Sequence, residues 1–149
     1  MTTRKNKNRG YQQLRVWQDA QDLYVLCHAS VKGWPFEEKK SAGQLLASVD
    51  SVHRNIAEGY CRRSVREYLN FLNIALGSLG ESVSAFIAYQ RSGQIPKSKF
   101  EELDSLAFKL ENGLLRLVES LELKRDEGTW TESMILQESN ESYTADEAT

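Results

Sequence analysis

The chain has 149 residues, which is enough for one domain with a hydrophobic core and too few to expect two. Its composition of 40% hydrophobic and 27% charged residues is typical of a globular protein, and nine glycines with two prolines are few for a turn-rich β fold. A net charge of −2 argues against a strongly basic body, and two cysteines are too few for a disulfide framework or a zinc site. We find no run of about 18 apolar residues and no signal-peptide pattern, so we expect a cytoplasmic protein with no membrane partner.

Charge is distributed unevenly along the chain. Residues 1–9 contain four basic side chains and no acidic one, whereas residues 126–149 contain seven acidic side chains and no basic one. We therefore expect a disordered basic segment over 1–10, a folded domain over 11–125 and an acidic, mostly disordered tail over 126–149. Within the tail, the apolar side chains of residues 130–136 suit a short docking element, and a merely solvated tail is the alternative.

Apolar residues recur every three or four positions in four segments, which predicts four α-helices. The predicted helices cover residues 14–34, 41–58 and 64–91, with a fourth beginning after Pro96. In chain order, their expected core rows are Trp17, Ala20, Tyr24, Cys27, Val31 and Trp34; Leu45, Val49, Val52 and Ile56; Tyr68, Leu72, Ala75, Leu79 and Phe86; Leu103, Ala107, Leu110, Leu114, Leu117 and Leu121. No segment alternates as a half-buried strand would, and the connections are short. The expected fold is an all-α, antiparallel up-down-up-down four-helix bundle.

The third predicted helix is apolar around more of its circumference than one bundle contact requires. A second apolar row runs beside its core row and consists of Leu69, Leu76, Val83 and Ile87. We expect this row to form an oligomer interface, with shielding by long charged side chains as the alternative.

The connection between the second and third helices carries the clearest local signals. Gly59 suits the left-handed conformation that ends a helix. Ser64 and Glu67 form an S-x-x-E capping box that starts the next helix. Asn55 and Glu58 are expected to hydrogen-bond the turn and fix the angle between the two helices, and a binding role for this pair is the weaker alternative.

A cluster of arginines surrounds the same connection. Arg54, Arg62, Arg63 and Arg66 lie near the N-terminal end of the third helix, where guanidinium groups and free helix N–H donors favour phosphate. These four residues are the candidate nucleic-acid site. The alternative is that Glu58 and Glu67 pair with them on a solvated surface.

Residues 11–122 resemble the four-helix bundle protein family whose founding members are encoded in intervening sequences of bacterial 23S ribosomal RNA. The resemblance starts with Leu14, Val16, Trp17 and Ala20 and continues through N-I-A-E-G at residues 55–59. It then follows Arg62, Ser64, the E-Y pair at 67–68, F-L at 71–72, I-A-L-G-S-L at 74–79 and Glu81. His53 stands where family members often have a proline.

The resemblance implies a ring-like homopentamer without established enzymatic activity. It also relates the chain in fold to accessory subunits of diversity-generating reverse transcriptases, which contact nucleic acid and the polymerase through a basic surface. The expected partners are therefore other copies of the chain and RNA or a nucleic-acid-processing protein.

Few residues suit catalysis or metal binding. A di-metal carboxylate centre needs two Glu-x-x-His pairs, and the chain has only His28 and His53. Cys61 lies beside two arginines without a histidine nearby in sequence to act as a base. We expect no catalytic residue, no metal, no cofactor and no small-molecule substrate. The sequence favours a non-enzymatic, RNA-associated scaffold, and a protein-interaction module without nucleic-acid binding is the alternative.

Overall fold

The computed structural model describes residues 10–128, and all regular structure in that part of the chain is helical. Its α-helices are α1 (Arg15–Val31), α2 (Lys39–Tyr60), α3 (Val65–Arg91) and α4 (Lys97–Glu127). Short 3-10 turns at Gly10–Gln13 and Phe36–Glu38 precede α1 and α2. Helices α1 and α3 each pack against both α2 and α4, which makes a four-helix bundle. The all-α prediction is confirmed over these residues.

The core rows of α2, α3 and α4 are buried as their periodicity predicts. In α1 the core row contains Val16 and Leu23, whereas Trp17 and Tyr24, predicted for that row, are only partly buried at its edge. A row defined by large aromatic residues was one position out of register at these two points. The aliphatic neighbours Val16 and Leu23 fill the interior instead.

The helix ends differ from prediction at α1 and α4. Helix α1 stops at Val31, before Trp34 and Pro35, because Lys32 is extended and Gly33 has a φ of 86°. Helix α4 continues through Glu127, two residues into the segment predicted as tail, and Gly128 ends it with a φ of 67°. Residues 1–9 of the predicted basic segment over 1–10, and the apolar element over 130–136, lie outside the described residues.

Aromatic contacts hold the N-terminal turn against the end of α2. The Tyr11 ring lies 5.5 Å from the Trp17 ring and 6.4 Å from the Tyr60 ring, measured between centroids. The Tyr60 ring in turn lies 6.2 Å from that of Tyr68 on α3. The chain therefore enters the bundle beside the connection between α2 and α3.

Helix α3 is unusually apolar. An 18-residue stretch of it has a mean hydropathy of 1.4, so by length and composition alone it could cross a membrane. Polar residues interrupt this stretch, so it is not an unbroken apolar run, and the expectation that the chain has no membrane partner stays a prediction. Core helices of soluble proteins meet the same criterion, and α3 contributes Tyr68, Leu72 and Phe86 to the core. Only 28% of the stretch is buried within the protomer, however.

Candidate nucleic-acid interface

The connection between α2 and α3 is a tight corner made by residues 54–67. Helix α2 continues past Gly59 to Tyr60, and the left-handed glycines of the described residues are Gly33, Gly93 and Gly128. The prediction that Gly59 ends the helix in a left-handed conformation was therefore wrong. A Cβ at Gly59 would lie 2.9 Å from the Phe71 Cβ, so glycine is required there because α3 crosses α2 closely.

Half of the predicted capping box forms at the start of α3. The Glu67 backbone N–H donates to Ser64 Oγ over 3.4 Å, and Ser64 is the N-cap residue. The Glu67 carboxylate instead lies 3.8 Å from Arg62 Nη1, across the corner. Ser64 therefore starts the helix as predicted, while Glu67 faces the preceding turn rather than the cap nitrogen.

Asn55 joins α2 to α3 through a relay of hydroxyl groups rather than by bonding the turn. Its Nδ2 donates to the Ser51 carbonyl oxygen over 2.8 Å and to Ser51 Oγ over 2.9 Å. Ser51 Oγ lies 2.9 Å from Ser78 Oγ on α3. Asn55 therefore bonds only within α2, and Ser51 makes the contact with α3. Glu58 is exposed and bonds Arg62, so the predicted role of the pair in fixing the angle between the helices stays a prediction.

Two of the four predicted phosphate-binding arginines form ion pairs along α2. Arg54 Nε lies 2.6 Å from Asp50 Oδ2, and Arg62 Nη2 lies 2.9 Å from Glu58 Oε1. Each carboxylate stands four residues before its arginine. For Arg54 this is the favourable order on a helix, whereas Arg62 lies two residues beyond the end of α2. The Arg62 guanidinium also stacks 5.0 Å from the centre of the Phe71 ring. Both arginines are thus paired with a carboxylate at the surface of the protein.

The other two arginines lie at the start of α3, where both are exposed. Arg66 lines a groove of about 390 Å³ between the first turns of α3 and the end of α4. The groove is also lined by Glu67, Leu69, Asn70, Asn73 and Arg125. It combines two guanidinium groups from different helices with two amide side chains, and these groups donate hydrogen bonds suited to phosphate and base edges.

The sequence analysis missed Asn70, Asn73 and Arg125. Asn70 and Asn73 follow Arg66 at intervals of four and three residues, a polar stripe on an otherwise apolar helix. That spacing was available from the sequence. Arg125 was not, because it comes from the far end of α4 and meets Arg66 only once the bundle has formed.

His53 and the cysteines take structural positions. His53 accepts a hydrogen bond at Nδ1 from Gln21 Nε2 over 3.0 Å and donates from Nε2 to Asp50 Oδ1 over 2.8 Å, which links α1 to α2. Cys27 is buried, and burial raises the pKa of its thiol to about 12. Within residues 10–128, no group of three or more His, Cys, Asp or Glu side chains could hold a metal ion.

The predicted oligomer row divides between core and surface. Leu69 is buried within the protomer, and Leu76 and Val83 pack partly against the core. Ile87 is the member of the row that is exposed, and Ile74, which was not predicted, is exposed to the same degree. The outward face of α3 is therefore rotated from the predicted row towards Ile74 and the glycines of α3.

One family model matches the chain, that of the 23S rRNA-intervening sequence protein, over residues 12–116. No curated protein matches it. The matched residues include all of α1, α2 and α3 and the first two thirds of α4. The chain therefore belongs to the 23S rRNA-intervening sequence protein family.

Proposed function

We propose that this protein is a non-enzymatic, homo-oligomeric helical scaffold that associates with RNA or a ribonucleoprotein in the bacterial cytoplasm. The observation that carries the proposal is the groove between α3 and α4, where Arg66 and Arg125 stand beside Asn70 and Asn73. The family's name links it to a ribosomal RNA sequence, which supports the choice of RNA as the nucleic acid.

The ion pairs of α2 narrow the proposed contact. Arg54 and Arg62 are each bound to a carboxylate, so a phosphate would have to compete with Asp50 or Glu58 for them. Arg66 forms no ion pair with another residue of the described part of the chain. We therefore centre the proposed RNA contact on Arg66. Arg125 lies in the same groove, but its Nε is 3.1 Å from Asp126 Oδ1, so a phosphate would have to compete with that carboxylate as well.

Filter binding of the purified full chain to a structured RNA, repeated at several salt concentrations, tests the proposal. Replacing Arg66 and Arg125 together with alanine is expected to weaken binding and to reduce the slope of log affinity against log salt by about 1 for each arginine that contacts a phosphate. Lys40→Ala is the matched control, because Lys40 is exposed at the opposite end of α2. Affinity that is independent of salt, or equal loss in the control, would contradict the proposal.

An antiparallel arrangement of the helices supports a scaffold in which corner and groove share one end. Gly59 contacts Phe71, and Ser51, eight residues earlier in α2, contacts Ser78, seven residues later in α3. On α1 and α4, Asp19 Oδ2 lies 3.9 Å from Lys109 Nζ. We infer that the four helices alternate in direction, as the short connections favour.

A protein-interaction module without nucleic-acid binding is the second candidate. It is favoured by the nearly neutral charge of the folded part of the chain, because residues 10–125 contain 15 basic and 14 acidic side chains. Its proposed contact is the apolar stretch at 130–136. Deleting residues 129–149 and repeating a pull-down of the partner tests it, since undiminished recovery would exclude the tail.

A further inference from the structure

The outward face of α3 is apolar, and the protomer leaves it uncovered. Ile74 and Ile87 are 45% and 44% exposed at its two ends. Between them the exposed residues are mostly small, namely Gly77, Gly80 and Ser84, and exposed Ala88 follows Ile87. We call this surface, residues 74–88, the α3 face. It forms a shallow trough about 20 Å long between two isoleucines.

The glycines of this trough have no role inside the protomer. A Cβ at Gly77 or Gly80 would meet no atom within 4 Å. A glycine inside an exposed helix is less favourable than an alanine, because it loses more backbone freedom on folding. Their small size is useful only if another molecule approaches the α3 backbone closely, as small residues permit between packed helices.

The outward side of helix α4 carries a ridge of large side chains, in contrast to the trough on α3. Phe108, Leu115 and Leu123 are 67%, 42% and 57% exposed and follow one another at intervals of seven and eight residues. We call these three residues the α4 row. It projects large apolar side chains over about 22 Å, a length that matches the trough.

The charges around the α4 row favour a protein as its partner over a lipid bilayer. Exposed acidic residues share the side of α4 that carries the α4 row, namely Glu101, Glu111, Glu119, Glu122 and Asp126. Anionic lipid would repel this surface. Exposed Arg91 follows the C-terminal end of the α3 face and complements the acids, and Glu81 lies at its middle. Lys109 and Arg116 stand beside the middle of the α4 row, so opposite charges can meet there as well.

From these observations we infer that the α4 row of one copy of the chain packs into the α3 face of the next copy. This inference rests on the homo-oligomeric part of the proposed function. The two surfaces differ, so the contact is heterologous and each copy can both give and receive one. Repetition closes a ring when the rotation between copies allows it, and a ring of odd number requires contacts of this kind.

Light scattering of the full chain at micromolar concentration gives the first test. Gly77→Leu is expected to reduce the mass to that of the 17.0 kDa chain, because the leucine fills the trough. The protomer tolerates this change, since a Cβ at this position meets nothing within 4 Å. Ala29→Leu adds similar bulk at an exposed position on α1 and is expected to leave the mass unchanged.

The second variant tests the α4 side. Replacing Phe108 and Leu115 with aspartate is expected to dissociate the oligomer, with the helical circular dichroism of the chain retained because both side chains are exposed. An oligomer whose mass is unaffected by both this variant and Gly77→Leu would overturn the inference and leave the proposed scaffold intact. A monomeric parent chain would overturn both.

Cysteine cross-linking distinguishes the heterologous contact from a symmetric one. Ser84→Cys and Leu115→Cys are introduced on separate chains that also carry Cys61→Ser, which removes the exposed native thiol. Mixing the two chains under oxidation is expected to give a covalent dimer that neither forms alone. Self-linking of the Ser84→Cys chain alone would overturn the inference, as would co-sedimentation of a monomeric parent chain with neutral phosphatidylcholine vesicles.

Discussion

Gly59 and Phe71 are so close that a methyl group at residue 59 would lie 2.9 Å from the Phe71 Cβ. The same Cβ would lie 3.2 Å from the Tyr68 carbonyl oxygen, which is backbone and cannot rotate away. The contact lies next to the corner, so it sets the separation of α2 and α3 at the end of the bundle that carries the arginines.

Gly59→Ala is therefore expected to destabilise the protein even though alanine favours a helix. Overpacking of this kind costs about 1–3 kcal/mol, and the gain in helix propensity offsets only about 0.5–1 kcal/mol of it. Urea unfolding followed by circular dichroism measures the difference. Gly43→Ala is the control, because an added Cβ meets nothing there and the variant should be as stable as the parent chain or more so. A stabilised Gly59→Ala variant would contradict the packing described.

The relay from Asn55 to Ser78 predicts coupling between α2 and α3. Ser51→Ala and Ser78→Ala are each expected to cost about 0.5–1.5 kcal/mol of unfolding free energy, and the double variant less than the sum, since the two hydroxyl groups bond each other. A double-mutant cycle in urea gives the coupling energy. Strict additivity would show that the two hydroxyl groups do not interact.

The start of α3 separates the roles of the two capping residues. Ser64→Ala is expected to cost about 1 kcal/mol, because Ser64 Oγ accepts from the Glu67 backbone N–H. Glu67→Ala should cost only a few tenths of that, since its carboxylate is exposed and lies 3.8 Å from Arg62. The midpoints of thermal unfolding of both variants measure these costs. Ser105→Ala is the control, because Ser105 is exposed within α4. Equal losses at Ser64 and Glu67 would instead indicate a complete capping box.

The two cysteines should differ in reactivity with a thiol reagent. Cys61 is exposed and is expected to react in the folded protein, whereas Cys27 is buried and should react only on unfolding. Titration with Ellman's reagent, with and without denaturant, counts the accessible thiols. Cys61→Ser should abolish the reaction of the folded chain, and rapid labelling of that variant would contradict the burial of Cys27.

Burial of Cys27 also predicts a loss of stability at alkaline pH. Its pKa is raised from 9.0 to about 12, so the unfolded chain releases this proton first as pH rises and the folded state becomes less favourable between those values. Burial, and then the charge of Cys61, raise the pKa of Tyr60 and act in the same direction. Unfolding free energies at pH 8 and pH 10.5 should differ less in Cys27→Ala than in the parent chain. An unchanged difference would exclude Cys27 as a source of the alkaline loss.

The elements that could be predicted from sequence depend on neighbours within one helix. Ser64 starts α3 because its side chain bonds an N–H three residues away, and the leucine row of α4 is buried because its spacing follows the helical repeat. Gly59 was misjudged for the opposite reason. Its glycine is required by the approach of Phe71 from another helix, and sequence alone does not distinguish close packing from a left-handed turn.

The residues of the candidate site likewise divide into those that could be found from nearby sequence and those that only the folded bundle brings together. Arg66 was found because it lies in a local cluster, while Arg125 is distant in sequence and joins the groove only after folding. Arg54 and Arg62 were found as well, but their partners Asp50 and Glu58 each lie one helical turn away, and this spacing leaves them paired. A count of arginines near a turn therefore overestimates the positive charge that a ligand meets.

The contact between Tyr11 and Tyr60 fixes the point at which the chain enters the bundle. A Cβ at Gly10 would overlap the Tyr60 ring and its hydroxyl group, so the backbone itself lies against that ring. Any larger residue at position 10 would have to lift the chain off the end of α2. The doorway of the domain is therefore only as wide as a glycine.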